Sequence, residues 1–251
     1  MVFGIRKTSL LLGLASIAAA LTTPAAAGGS LKDDYVPTGR QFSWSVNIGA
    51  TTDYVFRGIS QNDEKPALQG GVDMTYGIFY AGVWSSMIDF GDALSADAEV
   101  DFYAGIKPEW QGITFDLGVI YYAYPGASDS GAELDYVEVK AGASASPIQN
   151  LTIGGTIFYS PEFTGETGEV WTFEGSAGYE LPKLAMFTPT VSALLGYATG
   201  DEIEDYVYWN AGLSLAVDKL TLDFRYWDTD IDGGCAGLCD ERFVATAKVT
   251  F

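Results

Sequence analysis

The chain has 251 residues, and 33 Asp or Glu against 13 Lys or Arg give it a formal net charge of −20. A chain this acidic does not bind nucleic acid through a basic surface. It has no histidine, which excludes Ser-His-Asp and Cys-His catalysis and histidine-ligated zinc. Because 48% of the residues are hydrophobic and 14% are aromatic, the composition argues against disorder. We therefore expect a folded, acidic protein that is not an enzyme.

The first 27 residues predict a secretory signal peptide. Arg6 and Lys7 precede the apolar run 10–21, and Ala25 to Ala27 provide an Ala-x-Ala cleavage site. A membrane-anchor helix is the weaker alternative because this run is short, and no later stretch approaches the ~20 apolar residues that a spanning helix needs. The sequence thus predicts an exported protein with three parts. These are the signal peptide at 1–27, an N-terminal periplasmic lead at 28–41 and a barrel region at 42–251.

The third part alternates apolar and polar residues with a period of two. From Phe42 to Ala50 every second side chain is apolar, and the intervening ones are Ser, Asn or Gly. This is the pattern of a strand and not of a helix. Runs of this kind predict about twelve strands. Their approximate spans are 42–57, 66–76, 78–88, 97–107, 113–124, 134–145, 151–160, 169–180, 188–198, 206–217, 219–228 and 241–251.

The predicted connections alternate between short turns and long loops. Residues 108–112 and 218–219 belong to the short set, whereas 58–65 and 229–240 belong to the long set. This asymmetry is typical of a transmembrane antiparallel β-barrel with short periplasmic turns and long extracellular loops. We therefore predict an all-β barrel of about 12 strands in the bacterial outer membrane. A soluble exported β-protein is the weaker alternative, because a sandwich has no reason to alternate so strictly.

The last predicted strand carries an apolar face that ends in Phe251. Phe243, Ala245, Ala247 and Val249 share this face. Such a closing strand resembles the C-terminal signal that the barrel-assembly machinery of the outer membrane reads, so we expect this machinery and the membrane lipids as partners. On a soluble protein, the same edge would promote aggregation.

A family resemblance becomes visible along the first strands. The segments 53–61 (DYVFRGISQ), 65–71 (KPALQGG), 79–86 (FYAGVWSS) and 118–126 (GVIYYAYPG) follow one another in this order. The sequence here resembles the TorF family of porins. The resemblance spans most of the chain after the signal peptide and is specific as far as residue 140. It implies an outer-membrane barrel with a transport role, and it implies no particular substrate.

The alternation also assigns charged side chains to the inside of the predicted barrel. Acids outnumber bases there, so an open lumen would favour cations or cationic solutes. If the charges instead pair across the interior, they plug it. The candidates for the lumen and its constriction are Arg57, Asp53, Glu99, Asp101, Asp116, Glu138, Lys140, Glu174, Asp223 and Arg225.

Arg57, at the mouth of the first long loop, is the best single candidate for a constriction or gate residue. Its alternative role is structural, in which it pairs with Asp53 or Glu64 and orders the loop. Charges spaced two or four residues apart on one face favour local pairing. The expected local pairs are Asp53–Arg57, Glu138–Lys140 and Asp223–Arg225.

The last long loop combines acids with both cysteines of the chain. Asp228, Asp230 and Asp232 resemble the first half of a calcium-binding loop, but the twelfth position is Cys239 instead of Glu, so the EF-hand pattern fails. Weak divalent-cation binding stays open as an alternative to a solvated loop. We expect Cys235 and Cys239 to form a disulfide, because the exported compartment is oxidising and two thiolates make only half a zinc site. We predict no cofactor.

Two functional hypotheses remain from these observations. The primary one is a porin-like channel for passive diffusion of small, neutral or cationic solutes. The alternative is a closed barrel with a structural or surface-interaction role, whose acidic loops contact ions or lipids. Eight-stranded barrels are filled by side chains and 16-stranded porins are open, so about twelve strands predict a narrow channel at most.

Overall fold

The computed structural model describes residues 41–91, 96–127, 133–233 and 235–251. The predicted signal peptide at 1–27 and all but the last residue of the predicted lead at 28–41 lie outside the described residues. Twelve long strands make up the fold. They are β1 Phe42–Thr51, β2 Ala67–Tyr76, β3 Phe79–Met87, β4 Ala98–Ile106, β5 Ile113–Ala123, β6 Tyr136–Ile148, β7 Leu151–Ser160, β8 Val170–Glu180, β9 Thr188–Gly200, β10 Tyr206–Val217, β11 Leu220–Thr229 and β12 Arg242–Thr250.

Three short elements lie between the long strands. Val55–Phe56 pairs with Ile59–Ser60 as a small hairpin, Glu109–Trp110 adds two residues beside β5, and Thr164–Glu166 is a 3-10 helix. No helix among the described residues is long and apolar enough to cross a membrane.

The twelve strands close into an antiparallel barrel. Each strand pairs with the next along the chain, and β12 returns to pair with β1 from Thr250 opposite Asn47 to Thr246 opposite Thr51. Closure leaves no long strand with an unpaired edge, so the backbone groups of the wall bond to one another. The predicted antiparallel barrel of about twelve strands is confirmed.

The predicted spans agree with the observed strands to within a few residues, with one exception. The first strand was expected to run over 42–57, but β1 ends at Thr51. There the Thr51 hydroxyl donates a hydrogen bond to the Asp53 carbonyl oxygen at 2.8 Å. This bond turns the chain away from the wall, and residues 52–57 join the following loop instead of extending the strand.

The two faces of the wall follow the alternation. Apolar side chains such as Ile48, Leu68 and Leu195 point outward and are 59%, 61% and 60% exposed. An apolar outer surface that continues from strand to strand is unfavourable in water and suits the hydrocarbon core of a membrane. The inward positions carry polar, charged and glycine residues together with several tyrosines.

Glycines allow the inward tyrosines to lie flat against a neighbouring strand. The ring of Tyr208 on β10 covers Gly196 on β9, and the ring of Tyr103 on β4 covers Gly82 on β3. A Cβ at either glycine would overlap the ring, so these positions require the close approach that only glycine permits. Cross-strand pairs of this kind fill the interior without widening the barrel.

The interior has two halves, which we name by their connections. The long-loop half faces the connections 52–66, 88–97, 124–135, 161–169, 201–205 and 230–241, and the short-turn half faces 77–78, 107–112, 149–150, 181–187 and 218–219. In the long-loop half Glu99, Tyr122 and Glu138 are 0% exposed. In the short-turn half the charged side chains of Arg225, Asp223 and Lys107 are 20%, 25% and 33% exposed. The interior is therefore packed at one end and open to solvent at the other.

Candidate functional site

The long-loop half is filled by the first long loop, residues 52–66, which we call the plug loop. Its hairpin, Val55–Phe56 with Ile59–Ser60, turns at Arg57 and Gly58, whose φ angles are 45° and 86°. Positive φ at both turn positions is the requirement of a type I′ hairpin. Phe56 and Arg57 are 1% and 3% exposed. Tyr54, Arg57 and Gly58 of this loop lie against strands on several sides of the barrel, so the loop lies across the lumen.

An ion pair between Arg57 and Glu138 joins the tip of the plug loop to β6. Arg57 donates from Nη1 to Glu138 Oε1 at 2.8 Å and from Nη2 to Oε2 at 3.0 Å. Tyr122 on β5 donates its hydroxyl to the same carboxylate at 2.9 Å. The guanidinium also lies 4.5 Å from the ring centroid of Phe56 and 5.0 Å from that of Phe158. This bidentate, stacked geometry suits Arg and would be lost with Lys.

A second ion pair holds the base of the plug loop to β12. Arg242 Nη1 lies 2.9 Å from Asp53 Oδ2 and 3.1 Å from Glu64 Oε1. Ser60 donates its hydroxyl to Asp53 Oδ1 at 2.8 Å. Burial raises the pKa of Asp53, and the hydrogen bonds from Ser60 and Arg242 oppose this rise. Buried charges thus attach both the tip and the base of the plug loop to the wall.

Two fully buried acids, Glu99 and Asp101, lie on β4 beside the plug loop. Both are 0% exposed, and Tyr54 donates its hydroxyl to Glu99 Oε1 at 3.3 Å. Within the part of the chain that the structure describes, neither carboxyl forms an ion pair, and both Asp101 oxygens are buried without a hydrogen-bond partner. Burial of two carboxyl groups without an ion pair is unfavourable unless hydrogen bonds offset the loss of water.

The disulfide loop, residues 235–239, closes over the plug loop. Cys235 and Cys239 are joined in a disulfide, and Cys239 is 3% exposed within the apolar cluster that contains Tyr54 and Phe56. The Leu238 carbonyl oxygen accepts a hydrogen bond from the Ser60 backbone at 2.8 Å. The disulfide therefore shapes the segment that caps the hairpin.

The short-turn half contains two polar clusters. In the first, Lys140 Nζ lies 2.9 Å and Lys107 Nζ lies 3.8 Å from Asp116 Oδ2, and Tyr80 donates its hydroxyl to Asp116 Oδ1 at 2.7 Å. These groups connect β3, β5 and β6 across the wall. The first cluster is partly wet, since Asp116 is 22% exposed while Lys140 is 5% exposed.

The second polar cluster centres on Arg225 of β11. Arg225 pairs with Asp223 at 3.0 Å and donates to Asn210 Oδ1 at 2.6 Å and Ser192 Oγ at 3.0 Å. In the long-loop half, Glu174 on β8 accepts the Tyr208 hydroxyl at 2.6 Å. All ten predicted lumen residues therefore make polar contacts or lie buried inside the barrel, but they belong to different halves.

Two of the three expected local pairs do not form. Arg57 binds Glu138 instead of Asp53 or Glu64, and Lys140 binds Asp116 instead of Glu138. Only Asp223–Arg225 pairs as the spacing predicted. The reason is geometric: Asp116 on the neighbouring strand β5 lies diagonally opposite Lys140, and the plug loop carries Arg57 into the lumen to Glu138. Sequence reasoning also missed Arg242, although it occupies an inward position of the last predicted strand.

The acids of the last long loop bind backbone and tyrosine groups. Asp228 accepts from Thr229 N at 2.8 Å and Asp230 from Val207 N at 2.7 Å, whereas Asp232 is exposed. Among the residues that the structure describes, no three His, Cys, Asp or Glu side chains converge as a metal site. The hypothesis of weak cation binding at this loop gains no support from this arrangement.

A ring of tyrosine–carboxylate pairs surrounds the outer rim at the long loops. Tyr159 and Trp171 both donate to Glu169, at 2.8 and 3.0 Å, and Tyr197 donates to Asp205 at 2.7 Å. Trp171 and Tyr159 lower the pKa of Glu169, and Thr199 and Tyr197 lower the pKa of Asp205. Aromatic side chains at this level suit the membrane interface.

At the opposite end of the barrel, the backbone of the exposed Phe251 forms hydrogen bonds with the backbone of Val46. Lys219 Nζ lies 4.7 Å from the centroid of the Phe251 ring.

Comparisons with known proteins agree with the barrel. The sequence model of a family described as "Bacterial protein of unknown function (Gcw_chp)" matches residues 37–251. The structure is similar to that of the KdgM porin, with a TM-score of 0.57 at 10% identity over 82% of this chain and 98% of that chain. A KdgM porin in complex with disordered oligogalacturonate has a TM-score of 0.59 at 11% identity, over 82% and 99% of the two chains.

A NanC porin has a TM-score of 0.51 at 12% identity, over 83% of this chain and 99% of that chain. No curated protein matches the sequence. At such low identity these likenesses establish the fold, and any functional statement has to come from the interior of this barrel.

Proposed function

The chain belongs to the Gcw_chp family of bacterial proteins of unknown function, and from this premise we propose that it is a porin-like channel for passive diffusion of small solutes. The site of passage is the barrel interior. We expect no catalysis, because the chain lacks histidine, the side chain that most often serves as a general acid or base.

The solvent-exposed short-turn half is the observation that carries this proposal. Asp223, Arg225 and Lys107 keep between 20% and 33% of their side-chain surface exposed inside a closed wall. A barrel built only as a scaffold gains stability by filling its interior with apolar side chains. Charged groups left in contact with water are instead expected where a solute passes.

We place the protein in the bacterial outer membrane. The apolar outer surface, the closed ladder and the aromatic rim support this location. So do the resemblance to the TorF family of porins and the signal peptide predicted at 1–27. Phe251 would then present the C-terminal signal to the barrel-assembly machinery, and lipids would contact the apolar band.

The charge preference is proposed to be neutral or cationic. The charges of the short-turn half are close to balanced, with Asp116 and Asp223 facing Lys140 and Arg225. The surplus of acids lies deeper, at Glu99 and Asp101, and a solute that crosses the long-loop half would meet them. A weak preference for cations follows.

Conductance in planar bilayers tests this function. We expect the purified protein to produce discrete conductance steps and, in a salt gradient, a reversal potential that favours cations. A complete lack of steps under every applied voltage, also after removal of residues 52–66, would sink the channel hypothesis. A clear preference for anions would sink the proposed charge selectivity and leave the channel standing.

The second candidate function is a closed barrel with a structural or surface-interaction role. The observation in its favour is the plug loop, which fills the long-loop half and is held by Arg57 on Glu138. The plug is not made of ion pairs throughout, because Glu99 and Asp101 have no basic partner among the described residues. Replacement of the plug loop, described below, separates the two candidates.

A further inference from the structure

We propose that the plug loop, residues 52–66, is a displaceable gate that the pair Arg57–Glu138 latches shut. This inference rests on the proposed channel function and adds the regulation of the same lumen. The plug loop lies in the path of any solute, since the short-turn half is open to water while Phe56 and Arg57 are buried across the other half.

The plug loop can leave the lumen without breaking the wall. Its two short strands pair only with each other and form a sheet separate from the barrel. Its backbone bonds to the other long loops are Ser60 N to Leu238 O at 2.8 Å and Asp89 N to Gln61 O at 2.9 Å. Apart from a backbone bond at its base, from Thr52 N to the Ala245 carbonyl oxygen at 2.9 Å, its described attachment to the strands consists of side-chain contacts, so the loop can undock without breaking the strand ladder.

The turn at the tip indicates that Arg57 is present for its side chain. A two-residue turn with positive φ at both positions favours Asn-Gly, but here the first position is Arg57 with φ 45°. A non-glycine residue in this region is strained and persists where its surroundings hold it. The surroundings that hold it are Glu138 and the rings of Phe56 and Phe158. When this latch opens, the strain favours the undocked loop.

The latch is a buried ion pair. Because this pair is either formed or broken, the loop has two states, docked in the lumen and undocked. The Arg57 and Glu138 side chains are 3% and 1% exposed. Removing one partner leaves the other charge buried and unpaired, which is strongly unfavourable. Arg57 escapes this penalty only if the loop moves into water. Loss of the Glu138 charge is therefore expected to shift the loop toward its undocked state.

Arg242 and the disulfide loop act on the same element from the opposite side. Arg242 holds Asp53 of the plug loop and also donates to the Gly237 carbonyl oxygen at 2.8 Å. The cap and the base of the gate are thus joined through one side chain. Opening of the loop would expose Glu99 on β4, to which Tyr54 of the plug loop donates.

Single-channel recording of five proteins tests the gate. The first is the unaltered chain, and the next two are the latch variants Glu138→Gln and Arg57→Gln, of which the second serves in case the first does not fold. The fourth replaces residues 52–66 by a short Asn-Gly turn, which the wall tolerates because Thr51 and Ala67 are paired neighbours. The fifth, Glu169→Gln, makes the same chemical change as Glu138→Gln at the outer rim, away from the plug loop.

We expect the loop-replaced protein to stay open and the unaltered chain to open rarely. The latch variants should raise the open probability about tenfold or more, and Glu169→Gln should behave as the unaltered chain does. If the latch variants open no more often while the loop-replaced protein conducts, the loop is a static plug and the gate is refuted. Equal conductance of the unaltered and loop-replaced proteins also refutes it. If even the loop-replaced protein does not conduct, the channel function itself fails.

Discussion

The two halves of the barrel interior are built from the same twelve strands but are stabilised in different ways. In the long-loop half, Tyr122 and Tyr208 are fully buried together with the plug loop, so packing and desolvated charge pairs dominate. In the short-turn half, Asp223 and Arg225 remain in contact with water, so their pairing is screened and weak. The difference shows that one wall can hold a core at one end and an aqueous vestibule at the other, depending on what a loop contributes.

The largest expected effect comes from overfilling the packed half. Gly196→Val places side-chain atoms into the ring of Tyr208, and we expect it to lower the free energy of unfolding by about 3 kcal/mol. Urea unfolding in lipid vesicles measures this change.

Gly175→Val is the matched control for this prediction. Gly175 lies on the neighbouring strand, opposite Leu195, and a Cβ there meets nothing within 4 Å. Its effect should stay within about 0.5 kcal/mol. Equal losses of unfolding free energy in the two variants would mean that the contact between Gly196 and the Tyr208 ring does not make the long-loop half more tightly packed than the outer face of the wall.

The second prediction compares two acids of the short-turn half. Asp116→Asn removes the charge that pairs with the 5%-exposed Lys140, and we expect a loss of about 2 kcal/mol. Asp223→Asn leaves Arg225 with Asn210 and Ser192 as partners, and the loss should be below about 1 kcal/mol. Both are measured by the same unfolding titration. A larger loss for Asp223→Asn would contradict this prediction, which depends on Lys140 being more deeply buried than Arg225.

The third prediction concerns the cap of the plug loop. Replacing Cys235 and Cys239 by Ser removes a disulfide that spans only four positions of sequence. Because closing a loop this short removes only a modest amount of entropy from the unfolded chain, we expect a loss of about 2 kcal/mol. Reduction of the unaltered chain is the control and should give the same shift. A loss as large as that of Gly196→Val would show that the cap belongs to the packed core.

The smallest expected effect lies at the exposed surface of the loops. Lys65 lies 2.7 Å from Asp89 and 2.9 Å from Asp63, but all three side chains are well exposed. The hydrogen bond from Lys65 lowers the pKa of Asp89. The contribution of this group is therefore present above the ordinary Asp pKa and is lost as the pH falls through the lowered pKa.

Lys65→Gln should remove this acid-side dependence and leave the midpoint of unfolding at neutral pH unchanged, since exposed pairs contribute little. Thermal unfolding at neutral pH and at pH values below the ordinary Asp pKa checks both statements. A clear drop at neutral pH would show that the loop rim is part of the packed half.

Much of the fold could be predicted because the period-two pattern is local. The alternating apolar residues between Phe42 and Ala50, or between Leu220 and Tyr226, predict strands without reference to the strands that pair with them. The predicted end of the first strand, residue 57, is wrong by six residues, because β1 ends at Thr51. The prediction ran too far since Asp53, Tyr54 and Arg57 continue the alternation. A loop that folds into a barrel needs the same mixture of polar and aromatic side chains as an inward strand face.

The candidate site was predicted as a set of residues and not as an arrangement. Alternation identified Arg57, Glu138, Lys140 and Asp116 as inward or near the mouth, yet it paired Arg57 with Asp53 and Lys140 with Glu138. Their actual partners are set by strand pairing and by the entry of the plug loop into the lumen, which brings Arg57 and Glu138, 81 positions apart, to 2.8 Å. No spacing in the sequence encodes that distance.

The sequence by itself determined the number of strands, the two faces of the wall and the residue types available inside it. These follow from side-chain alternation and turn chemistry, which act over a few neighbouring residues. The tertiary structure alone decided that residues 52–66 enter the lumen, that Arg57 binds Glu138, and that one half is packed while the other is wet. Those outcomes depend on which buried charges can reach one another once the barrel closes, because a charge removed from water is costly unless a partner lies beside it.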